Sequence, residues 1–198
     1  MYWKDARWTL KRTVDPVVEP VTVDDLRQQC RIDSQEEDTL LRSFITAARE
    51  MVETDTRRAL ITQTWELKFD AFPCDVIEVR RCPLISVSSI AYVDTNGTSQ
   101  TLASTVYSVD ANSEPGRITL AYQQTWTTTR TQDNAVTMTF TAGYGAAATS
   151  VPERAKLAIR LLAAHWFNNR ESTAFGAMNE IPLGYTSLIE RLMWAGYR

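Results

Sequence analysis

The sequence predicts an α+β fold, a helical bundle built from N- and C-terminal helices with an antiparallel β sub-domain inserted between them. Three observations lead there. Apolar residues recur at helical spacing before residue 60 and again after residue 150, between those stretches they alternate with polar residues, and glycine-containing turns separate the alternating runs. On this reading residues 1–20 are an extended N-terminal arm and residues 21–198 one domain, with helices in 22–59 and 151–194 and a β insertion at about 60–142.

Each element has its own justification. The arm sets Trp3 and Trp8 among alternating charges and ends on Pro16 and Pro20, so it either projects or folds back on its own domain. In "VTVDDLRQQCRI", Thr22 and Asp25 have the spacing of a reciprocal N-terminal cap. Ser34 and Glu37 repeat that spacing ahead of a longer helix, which places Leu40, Leu41, Phe44, Ile45, Ala48, Met51 and Val52 on one face. Acids at its start (Glu36, Glu37, Asp38) and Arg57 and Arg58 at its end suit the helix dipole.

In "WELKFDAF" the period becomes two, with Trp65, Leu67, Phe69 and Ala71 pointing one way and Glu66, Lys68 and Asp70 the other. Further strand-like runs, "DVIEV", "LISVSSIAYV", "TVYSV", "GRITLAY" and "AVTMTFTA", bring the expectation to about six strands. "TNGT" suits a tight hairpin and "EPGR" a second turn, while the Thr-rich "TWTTTRTQ" reads as an exposed loop with Trp126 as its contact residue. "TAGYGAAA" reads as a hinge into the third helix, where Pro152 fits the first turn because its missing N–H would have had no partner there. Steps of about 100° place Leu157, Leu161, His165, Ala158, Leu162 and Trp166 on one apolar arc with His165 near its middle. A last helix, "TSLIERLM", precedes the aromatic tail "WAGYR".

Composition bounds the function. A chain of 198 residues, 44% hydrophobic and 23% charged, can bury a core without disulfides or metal. Cys30, Cys74 and Cys82 are odd in number and far apart, as expected in a reducing compartment. The expectation is a soluble protein made in the cytoplasm, with no signal peptide and no membrane span. A net charge of −3 argues against a broad phosphate-gripping face, and the pairs Arg57-Arg58 and Arg80-Arg81 read as solvated charge.

Catalytic chemistry finds little support. His165, the one histidine, reads as a core imidazole with one hydrogen-bonded nitrogen, and no G-x-S-x-G elbow accompanies it. A hydrolase or nuclease using His165 is the alternative from another class. Cys30, Cys74, Cys82 and His165 lack the paired spacings of a zinc site, and no glycine-rich phosphate loop occurs, so neither metal nor cofactor is expected. Glu36, Glu37 and Asp38 read as helix-start charges. Aromatics at Trp3, Trp8, Trp126, Trp194 and Tyr197 instead suggest contacts with other proteins.

The ordered series "PVTVDDLRQQCRID", "DTLLRSFITAAREMVE", "RRALITQTWELKFDAFP", "ISVSSIAYVDTNGTSQTL", "TFTAGYG", "VPERAKLAIRLLAAHWFNNRE" and "IPLGYTSLIERL" resembles the gp6-like head–tail connector (adaptor) proteins of tailed bacteriophages, also labelled gp8. Relatives of that family occur in prophages and gene transfer agents. The similarity runs from Pro20 to Leu192. It implies a non-enzymatic virion protein that forms a ring of about twelve copies by a head-to-tail contact. The ring would sit under the portal protein at the head–tail junction, extend the DNA channel without sequence-specific binding, and present its other face to a stopper or tail-completion protein. By the same resemblance Trp194, Tyr197 and Arg198 would reach the portal, while Trp3, Trp8 and Trp126 are candidate arm or loop contacts. A stopper or tail-completion role for the chain itself is the alternative within the structural class. A duplex-binding module is disfavoured by the charge balance.

Overall fold

The computed structural model describes residues 8–170 and 183–193, so Trp3, Trp194, Tyr197 and Arg198 lie outside the described residues. The chain divides into two compact units: a β unit from Met1–Asp15 and Thr62–Gly143, and a helical unit from Pro16–Ile61 and Tyr144–Arg198. The β unit thus includes the start of the chain as well as the insertion.

In the helical unit, α1 (Val23–Cys30) opens on the expected cap. Thr22 Oγ1 accepts from Asp25 N at 3.1 Å and Asp25 Oδ2 accepts from Thr22 N at 2.9 Å. The backbone hydrogen bond from Thr22 is the largest influence holding the Asp25 carboxyl below its ordinary pKa. The second cap does not form. Helix α2 (Asp38–Thr56) has Glu37 at the cap position with no side-chain cap bond. Asp38 instead takes a two-pronged bond from Arg27 on α1, at 2.9 and 2.8 Å, which fixes the start of α2 against its neighbour.

The buried face of α2 follows the apolar spacing, with Leu41, Ile45, Ala48 and Val52 buried and Phe44 and Met51 partly so. It packs on α3 (Glu153–Asn168), which begins after Pro152 rather than through it. The face that α3 buries is rotated from the expected arc. Ala155, Ala158, Ile159, Leu162 and Ala163 are inside, whereas Leu157 is 37% exposed and Leu161, His165 and Trp166 are only half-buried. Alanine drives the difference. Three alanines on one side let the facing helix approach closely, so the interior takes the smaller residues and displaces the bulkier row to the edge. Helix α4 (Leu183–Glu190) adds Tyr185, Ile189 and the following Leu192 to the same core.

Two polar side chains inside this unit were not apparent from periodicity. Arg49 and Glu53, one turn apart on α2, are buried and bonded at 2.9 Å. Arg49 also donates to Glu19 at 2.8 Å, and Glu53 accepts from the Leu60 amide at 2.9 Å. The charges are paired and their remaining polar positions used, the condition under which buried ions are tolerated.

The β unit holds eight strands among the described residues: β1 (Trp8–Val14), β2 (Gln63–Phe69), β3 (Val76–Glu78), β4 (Leu84–Val93), β5 (Ser99–Thr101), β6 (Tyr107–Asp110), β7 (Arg117–Leu120) and β8 (Val136–Ala142). A five-stranded antiparallel sheet runs β1-β2-β8-β4-β5, and a three-stranded one β3-β7-β6. The arm is therefore partly sheet, since β1 lies along the edge of β2 with Trp8 opposite Phe69 and Arg12 opposite Trp65. Strict alternation on β2 and β8 buries the cross-strand pairs Trp65–Phe140, Leu67–Met138 and Phe69–Val136, each large side chain contributing about 1.5–3 kcal/mol. Ala71 falls beyond the end of β2 and is exposed.

Turn chemistry closes the hairpins. Between β4 and β5, Gly97 adopts φ +87°, and Asp94 accepts from the amides of Asn96 and Thr98, both at 2.9 Å. At Gly116, before β7, an added Cβ would come within 2.6 Å of the Leu84 side chain. This approach of a turn to β4 requires a residue without a side chain.

Candidate docking surface

The candidate site is an aromatic recess in the β unit, built where β2 ends. Phe69 is the last buried residue of that strand, and three residues on Phe72 folds back edge-on to it, with ring centroids 6.2 Å apart. Trp126 lies flat on Phe72, centroids 4.9 Å apart and planes 2° from parallel, and Tyr92 of β4 closes the cluster at 6.0 Å. Trp126 sits in the Thr-rich connection from β7 to β8, which sequence alone suggested was an exposed loop. That connection is fixed at several points. Besides the ring stack, Arg130 N donates to Val93 O at 3.0 Å and Asn134 N to Asp70 Oδ1 at 2.8 Å.

Between the end of β2 and this loop lies an open recess of about 790 Å3, with Phe72 and Trp126 beside Asp70, Arg130 and Asp133. Arg130 packs its guanidinium over Gly97 of the neighbouring turn. The indole N–H of Trp126 is shielded from solvent and has no acceptor among the described residues. In the stretch 125–133, Arg130 supplies the single backbone amide that bonds to a backbone carbonyl among the described residues. Rich in residues of high β propensity but ending in bends and a turn at 131–134, this loop has few backbone–backbone hydrogen bonds among the described residues. Tyr122, at the start of the same connection, is 88% exposed.

The second predicted aromatic, Trp8, is 41% exposed on edge strand β1. Arg80 lies over its ring at 4.4 Å and Arg81 over that of Trp65 at 4.7 Å. The basic pair read as solvated charge therefore covers tryptophans, because a planar guanidinium can stack on an aromatic face. Arg58 departs from the same expectation: it is buried and donates to Leu192 O at 2.7 Å. Trp8 and Trp126 are thus in one unit but in different clusters. Phe72 escaped notice, and nothing local in the sequence marked Arg80 and Arg81 as ring-stacking rather than solvated.

His165 is half-buried in the last turn of α3, with Asn169 Nδ2 3.4 Å from its Nδ1. Asn169 also donates to the His165 carbonyl at 2.8 Å, so these contacts finish a helix. Among the described residues no cluster of three or more histidine, cysteine or acidic side chains is arranged to hold a metal ion. No described helix is long and apolar enough to cross a membrane.

Residues 20–113 match the family described as phage gp6-like head-tail connector protein. Among solved structures, a chain from the neck of an empty gene transfer agent particle, computed with C6 symmetry, is similar with a TM-score of 0.78 and 26% identity over 93% of this chain and 95% of that one. A chain from the virion of the native particle gives 0.74 and 25%, covering 93% and 95%. One from the native neck computed with C12 symmetry gives 0.72 and 25%, covering 93% and 94%. No curated protein matches the chain in sequence. Connector-like sequence thus runs through both the helical and β units, and the fold along almost the full length of the chain is similar to that of a neck chain of a gene transfer agent particle.

Proposed function

We propose that this protein is a non-enzymatic ring subunit at the head–tail junction of a phage-like particle, seated under the portal and carrying a stopper or tail-completion protein on its other face. The observation that carries the reading is the likeness to neck chains of a gene transfer agent over 93% of the chain. Particles computed with C6 and C12 symmetry repeat their chains about an axis, and such closure joins two different patches on each subunit. The aromatic and arginine side chains of the β unit have the composition of such patches, with exposed Trp8 and half-buried Trp126 as described members and Trp3 as a further one. Trp194, Tyr197 and Arg198 are the proposed portal contacts. DNA passes through the ring unread, and a net charge of −3 suits a conduit that releases what it carries. Assembly takes place in the host cytoplasm, and the finished subunit resides in the virion.

Mixing the purified protein with its cognate portal at capsid-like salt tests this reading. Co-migration that is lost when residues 194–198 are removed is the expected result. Persistent failure of the intact chain to co-migrate would overturn it.

A further inference from the structure

We infer that the aromatic recess of the β unit receives an arginine side chain of a partner protein, its guanidinium against the Phe72–Trp126 stack and paired with Asp70 and Asp133. Charge is the first argument. Asp70 and Asp133 line the recess, and neither makes an ion pair among the described residues. Asp70 Oδ1 accepts from Asn134 N at 2.8 Å, which fixes that carboxylate in place. The one lining cation, Arg130, packs its guanidinium against Gly97 of the neighbouring turn. Two carboxylates and one guanidinium leave the recess net negative, so it disfavours a phosphate and attracts a cation.

Ring chemistry is the second argument. Elsewhere in this unit an arginine lies over a tryptophan twice, Arg80 over Trp8 at 4.4 Å and Arg81 over Trp65 at 4.7 Å. Trp126 carries no such cation among the described residues, although its ring and that of Phe72 both line the recess beside the two carboxylates. A guanidinium is planar and weakly hydrated, so it can lie on a ring while the N–H groups at its edge reach carboxylates, a combination a lysine ammonium does not match. Shape is the third. Phe69 and Tyr92 back the Phe72 ring, and Arg130 N ties the loop to Val93 O, so little is left to order on binding. A recess of about 790 Å3 that is open to solvent suits one long side chain still attached to its own backbone.

An NMR titration of the full chain with an end-capped Gly-Ser-Arg-Ser-Gly peptide tests the inference, the control being the same peptide with citrulline, an uncharged isostere, in place of arginine. The Trp126 indole N–H resonance, assigned by its loss in Trp126→Phe, should shift saturably with the arginine peptide, as should the amides of 126–133. The citrulline peptide should bind at least about tenfold more weakly. Asp133→Asn and Asp70→Asn should each weaken arginine binding about fivefold or more, and Asp70→Asn still offers an acceptor to the Asn134 amide, so the loop stays in place. No response to the arginine peptide, equal response to both peptides, or a response unchanged when both aspartates are replaced would overturn the inference. So would shifts of the same resonances on raising the protein concentration alone, which would make a second copy the occupant, or a stronger response to a DNA duplex. Neither ring nor portal enters the measurement, so failure here leaves the connector reading standing.

Discussion

At the scale of single residues, the informative side chains are polar ones in apolar places. Glu53 joins the Arg49 guanidinium and the Leu60 amide, so one carboxylate ties the end of α2 to the segment that follows it. Glu53→Ala leaves a buried cation short of a partner and an amide without an acceptor. The expected loss is about 3–5 kcal/mol in chemical denaturation, with Glu53→Gln losing clearly less because its carbonyl still serves Leu60. Periodicity marked the apolar members of this helix face and could not mark these two, since a charged residue on an inward position is indistinguishable in sequence from one at the rim. The same blindness affected Arg58, Arg80 and Arg81. Their burial or stacking depends on a carbonyl or ring brought near by distant parts of the chain.

At the scale of elements, α4 shows how a short helix is held. Eight residues form a marginal helix alone, and this one is fastened by Ile189 and Leu192 in the core, by Arg58 on the Leu192 carbonyl, and by Tyr185, whose hydroxyl donates to Asp55 at 2.7 Å. Burial first, and then that hydrogen bond, raises the Tyr185 pKa above the ordinary tyrosine value. The unfolded chain therefore loses this proton earlier than the folded one as pH rises. The associated stability is complete below about pH 10 and declines above it. Tyr185→Phe should lose about 1 kcal/mol at neutral pH, and the gap to the parent should narrow in melts at increasing alkaline pH. The positions of the helices, and the alternation of β2 and β8, were legible because each is a local pattern. The rotation of α3, by contrast, depended on which face its neighbour could approach. The cap expected from Ser34 and Glu37 could not be judged locally either, since the Glu37 carboxylate pairs with Arg170 from the end of α3.

At the scale of the whole molecule, the bundle-plus-insertion plan was readable from the change of period, and the resemblance to connector proteins from the order of its segments. The contribution of the first residues to the sheet was not, because β1 finds its register only on a strand far along the chain. The recess was equally hidden, since Phe72, Tyr92 and Trp126 come from three separate segments. As His165 belongs to a half-buried helix end, His165→Ala should cost under about 1 kcal/mol in thermal or denaturant unfolding and leave portal co-migration intact. An equally stable variant that no longer supported particle formation would return attention to the imidazole. The strand order carries a last consequence for biosynthesis. The centre of the large sheet is β8, between β2 and β4, and it is the last of the eight to leave the ribosome. Every nascent chain shorter than its final residue, Ala142, holds two unjoined halves with bare inner edges, so this protein reaches safety from aggregation only when translation has passed that point.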